Sequence, residues 1–74
     1  MATPRRNPPA TARRTDAFAR LTLIYWRERG GYVGQLEEEP EVISQGKTLE
    51  ALRRNIRDAW QLVKRHRKAA ARAI

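Results

Sequence analysis

No cysteine occurs in the 74 residues, so neither a disulfide framework nor a thiolate metal site is available, and the single histidine, His66, cannot hold zinc alone. Long apolar runs are missing too. The first 17 positions hold no stretch that could serve as a secretory core, and nothing approaches the roughly 20 apolar residues of a membrane span. These absences point to a protein of the reducing cytoplasm with no membrane attachment. Also missing are a Walker or dinucleotide-type glycine loop, an H-E-x-x-H pair, and any supported Ser-His-acid or Cys-His set. No side chains take assignable acid, base and nucleophile roles, so the expectation is a non-enzymatic chain without a cofactor.

What the chain does have is positive charge, +8 overall, unevenly spread. Residues 1–20 sum to +4, residues 21–46 to −3 and residues 47–74 to +7. An acidic centre between basic ends suits nucleic acid, an acidic partner or self-association. A chain of this size buries only about 60% of its unfolded surface, so partnership is expected to matter for stability.

Residues 1–16, "MATPRRNPPATARRTD", hold three prolines, four arginines and almost nothing to bury, and read as a flexible basic arm. The character changes at "AFARLTLIYWRERGGYVGQLEE", where β-branched and aromatic residues flank Gly30-Gly31. That pattern predicts a hairpin with the two glycines as its loop. Leu21, Leu23 and Tyr25 then share a face with Tyr32, Gly34 and Leu36. The opposite face shows Ile24, Trp26 and Val33, too apolar to stand open to water. These three residues are the expected interface with a second copy.

Pro40 cannot donate to a ladder and belongs in the acidic turn before a third strand over about Val42 to Gln45. From Thr48 the period becomes helical. Leu49, Leu52, Ile56, Ala59, Trp60 and Val63 fall within about 100° of one helix face, with Thr48 as N-cap and Glu50 able to reach Arg54. The expected fold is therefore α+β, a three-stranded antiparallel sheet with one long amphipathic helix packed on one face. The domain runs over 17–66 and a basic helical extension or tail over 67–74, since Arg67 interrupts the apolar stripe. Gly34 within a strand reads as a fit beneath an aromatic ring such as Trp60.

Three groups remain for function. His66, isolated among Lys64, Arg65, Arg67 and Lys68, reads as a solvated helix-end side chain. Glu37, Glu38, Glu39 and Glu41 lack the spacing of a calcium loop and read as a solvated acidic turn that can also dock a partner. Arg53, Arg57, Lys64 and Lys68 line one flank of the helix, where phosphates can be met, with help from Arg5, Arg6, Arg13 and Arg14 of the arm. No base-reading motif accompanies them, so such contact would be non-specific.

One stretch carries a resemblance. Gly31 to Val63, "GYVGQLEEEPEVISQGKTLEALRRNIRDAWQLV", is similar to the HicB family of antitoxins, whose pattern is approximately GYVAxVPELPGxxTQGDTLEEALENIKEAI. Gly31, Tyr32, Val33, Pro40, Val42, Gln45, Gly46, Thr48, Leu49, Glu50, Asn55, Ile56 and Ala59 match without a gap. The resemblance implies a ββ(β)α domain that forms a homodimer or larger assembly and neutralises a small HicA-like, mRNA-cleaving toxin. Such a toxin is basic, which makes Glu37 to Glu41 the expected docking patch. The chain departs from the pattern at Glu39-Pro40-Glu41, where the family has an apolar residue, proline and glycine. The alternative expectation is a basic nucleic-acid binder using the arm and the exposed helix face.

Overall fold

The computed structural model describes residues 7–73, with side chains through Arg67. Its elements are β1 (Arg13–Asp16), β2 (Thr22–Glu28), β3 (Gly31–Leu36), β4 (Ile43–Gly46) and the helix α1 (Leu49–Ala73). The strands form one antiparallel sheet in the order β1-β2-β3-β4, with α1 against one face. The α+β class and the single helix agree with the sequence reading. The sheet has four strands, however, and not three.

The added strand comes from the segment read as a flexible arm. Residues 1–6 of that arm, with Arg5 and Arg6, lie outside the described residues, but Arg13–Asp16 pair with β2 from Arg13↔Tyr25 to Asp16↔Thr22. The turn that permits this pairing has no glycine. Phe18 O accepts from Leu21 N at 2.9 Å, and the two residues between them, Ala19 and Arg20, both have positive φ, 49° and 65°. Two left-handed residues at the centre of a tight turn match the right-handed twist of the flanking strands, a geometry usually left to Asn and Gly.

The β2–β3 loop is Arg29-Gly30, one residue earlier than expected, and Glu28 pairs with Gly31. Only Gly30 needs the left-handed region, with φ 75°. Pairing moves by two positions relative to a Gly30-Gly31 loop, and a two-residue move leaves every side chain on its expected face. Leu23, Tyr25, Tyr32, Gly34 and Leu36 look toward the helix side; Ile24, Trp26, Val33 and Gln35 look away. The fourth strand begins one residue later than predicted and includes Gly46.

The helix lies across β3 and β4. Steric room decides this placement. A Cβ on Gly46 would stand 2.6 Å from Leu52 N, and one on Gly34 would stand 2.9 Å from side-chain carbons of both Leu23 and Leu52. The first turns of α1 therefore rest directly on strand backbone. Gly34 makes room for two leucines, not for an aromatic ring. Leu23, Leu36, Leu52 and Ile56 are fully buried there and Val42 nearly so, with Phe18, Tyr25, Tyr32, Ala59, Trp60 and Val63 at the rim.

Thr48 caps the helix as its sequence position suggests, its Oγ1 accepting from Ala51 N at 3.0 Å. Asn55 Nδ2 donates to Gln45 O at 2.8 Å and ties the second turn to β4. No ion pair joins Glu50 and Arg54. Contact also persists past the point where the apolar stripe stops, because Arg67 lies over the Trp60 ring and reaches Glu39 and Glu41.

Candidate functional site

Four surfaces carry the residues singled out from the sequence. The outer sheet face comes first. Ile24, Trp26 and Val33 are only 4%, 6% and 6% exposed within the single chain, packed with Ala12 and Ile43. The open apolar face expected there is buried within the single chain, with Ala12, just before β1, and Ile43 packed against it. Trp26 Nε1 donates to Glu28 Oε2 at 2.8 Å. Gln35 is the exception on this face: it is 5% exposed, and its Oε1 has no hydrogen-bond partner among the described residues.

The acidic turn is not simply solvated. Glu37 accepts from Arg14 Nε at 2.8 Å, binding the turn to β1. Glu38 accepts from the Thr22 backbone N–H and from the Thr22 hydroxyl, each at 2.8 Å, binding it to β2. Glu39 accepts from Arg67 at 2.6 Å, and Glu41 pairs with the same guanidinium, binding the turn to α1. Thr22 holds the Glu38 carboxyl below its ordinary value, the backbone N–H acting more strongly than the hydroxyl. Glu41 is lowered as well, first by its own backbone N–H, then by Glu39 and Arg67. All four acids expected to dock a partner thus have partners inside the chain.

The basic flank of the helix is likewise engaged. Arg53 donates twice to Asp16 O, at 3.0 and 2.7 Å, which fastens the end of β1 to the helix. Arg57 lies over the Phe18 ring at 5.7 Å and Lys64 over the Trp60 ring at 5.6 Å. Lys68 has its side chain outside the described region. Arg57 and Lys64 cover rim aromatics while their heads stay exposed, so packing accounts for these two members of the stripe. His66 is exposed beside Leu62 and Val63. Among the described residues, no three His, Cys, Asp or Glu side chains gather where they would hold a metal ion. No helix among them is long and apolar enough to cross a membrane.

The fourth surface was not singled out from the sequence. Because α1 lies across β3 and β4, the helix-side face is left partly open at Arg13 of β1 and at Tyr25 and Arg27 of β2, while Leu23 stays buried. Register brings Arg13 opposite Tyr25, Thr15 opposite Leu23 and Arg27 opposite Tyr32 on that face. A cavity of about 430 Å³ is lined by Thr11, Arg13, Tyr25, Trp26, Arg27, Tyr32 and Leu49. A second, of about 300 Å³, shares Tyr25 and Leu49 with it and continues to Thr15 and Arg53. No acidic side chain lines either one. The two tyrosine rings meet edge to face, 6.4 Å apart at 65°, and the Arg27 guanidinium lies 5.3 Å from the Tyr32 centroid. Only the pairing of β1 with β2 creates this groove, and that pairing was the part of the fold not expected.

No family model, curated protein or solved structure matches the chain.

Proposed function

We propose that the chain is a non-catalytic interaction domain of the HicB-like kind, which pairs with itself in the cytoplasm and neutralises a small HicA-like, mRNA-cleaving toxin. The observation that carries this reading is the joint between β4 and α1. Gly46, Thr48 and Asn55 belong to the stretch that resembles the family, and they act there as one structural unit. Gly46 leaves room for the helix backbone, Thr48 caps its first turn and Asn55 ties its second turn to Gln45. A motif whose members cooperate in one joint is better support for a shared fold than scattered identities.

The rival reading, phosphate contact through arm and helix flank, draws less support. Arg53, Arg57 and Lys64 already have contacts within the chain.

The test is co-expression of the chain with the small basic, histidine-containing product of the neighbouring reading frame. Restored growth and a co-purifying complex are expected. Undiminished toxicity with no complex would remove the antitoxin reading, and a monomer alone in sedimentation at micromolar concentration would remove self-pairing.

A further inference from the structure

We propose that the uncovered groove on β1 and β2 binds single-stranded nucleic acid, with Tyr25 and Tyr32 stacking on bases and Arg13 and Arg27 holding phosphates. The proposal stands apart from the antitoxin reading and needs no toxin.

Charge is the first argument. Glu37, Glu38, Glu39 and Glu41 are consumed by internal contacts, the strand acids Asp16 and Glu28 alternate to the sheet face opposite Arg13 and Arg27, and Arg13 faces the groove with no acidic partner among the described residues. A concave strip lined by arginines and no carboxylate, in a chain of net charge +8, concentrates positive potential where an anion would lie.

The rings decide which anion. An acidic peptide needs cations but gains little from two adjacent tyrosines. A nucleotide strand uses both, because phosphates take the guanidinium groups and each base has a flat face for a ring. Arg27 over Tyr32 enlarges that stacking surface, since a guanidinium plane stacks on bases as well. A duplex hides its base faces, so only an unpaired strand can use the groove. From Tyr25 to Arg27 the open strip runs about 7 Å at the usual strand rise, the length over which the two rings can each take one of two neighbouring bases.

Fluorescence anisotropy with a labelled oligouridylate of about ten nucleotides tests the assignment. Affinity should fall steeply with salt, and a duplex of equal length should bind more weakly. Tyr25→Leu and Tyr32→Leu keep an apolar side chain against the core and should each weaken binding about five-fold or more, while Tyr25→Phe and Tyr32→Phe should bind like the parent. Arg13→Ala and Arg27→Ala, at exposed positions, should each lower the salt slope by about one, and Arg65→Ala should not. Three results overturn the proposal: a duplex bound as tightly as the single strand, polyglutamate competing as well as the oligonucleotide at equal charge, or folded Leu and Arg variants that bind like the parent.

Discussion

The turn between β1 and β2 should be improvable by two substitutions, Ala19→Asn and Arg20→Gly. Both residues sit in the left-handed region, φ 49° and 65°, where an L side chain brings Cβ close to its own carbonyl oxygen. That costs roughly 1–2 kcal/mol for each residue. Asn tolerates the region and Gly has no Cβ, although Gly returns about 0.5–1 kcal/mol through the freedom it adds to the unfolded chain. The net gain should be about 1–2 kcal/mol. Ala19 and Arg20 are exposed and Arg20 holds no side-chain partner among the described residues, so no such contact is given up. In a domain of this size each kcal/mol raises the melting temperature by roughly 4–8 °C. Urea unfolding followed by tryptophan fluorescence should show a higher midpoint at unchanged slope. A midpoint that stays put or falls would refute the reasoning, because it would mean that the strands do not meet through a turn of this hand.

Other perturbations separate backbone from side-chain room. Gly46→Ala sets a Cβ against helix backbone and should cost upwards of about 3 kcal/mol, whereas Gly34→Ala meets only leucine side chains that can shift, and should cost about 1–3 kcal/mol. Equal losses in urea unfolding would mean that the helix does not rest on Gly46. Gln35→Met removes the buried acceptor without a partner and should stabilise the single chain by about 1 kcal/mol; a clear loss would show that Oε1 has a donor in solution, such as one from a second copy. Glu38 and Glu41 titrate below the ordinary 4.5 in the folded state, so the stability they supply is present above that value and is lost as pH falls through their lower folded values. Acid melts should therefore show a midpoint that begins to drop near pH 4.5, modestly because both groups are exposed, and Glu38→Gln should flatten the drop.

The helix, its cap, its buried stripe and the two faces of the β2–β3 hairpin could be read from residue spacing, since Leu23, Leu36, Leu52 and Ile56 follow the periods of 2.0 and 3.6 that burial imposes. β1 could not. Arg13–Asp16 has little to bury, and Ala19-Arg20 carries none of the Asn or Gly that marks a tight turn, so neither strand nor turn leaves a local signal. What holds β1 in place is non-local: Arg53 on Asp16 O and Arg14 on Glu37, from residues 37 and 23 positions away. The groove could not be read for the same reason. Tyr25, Tyr32 and Arg27 were visible as hairpin residues, but they form one wall of a site only when Arg13 is set beside them.

The acidic turn links the two functional readings. Its carboxylates hold β1, β2 and α1 together and withdraw negative charge from the surface, which leaves the groove positive. A basic toxin docking at Glu37 to Glu41 would have to take the place of Arg14 and Arg67. Those guanidinium side chains are 61% and 52% exposed, and exposed ion pairs are worth only about 0–1 kcal/mol, so a partner with well-placed cations can replace them at small cost. Replacement has a structural consequence, because Arg14 belongs to β1. Releasing it removes one of the contacts on the strand that carries Arg13, one wall of the groove, and weakens that strand by no more than this small amount because its ladder to β2 and Arg53 on Asp16 O remain. Toxin docking at the acids and strand binding in the groove should therefore oppose each other weakly, and a nucleic acid that weakens toxin binding must be weakened by toxin in the same ratio.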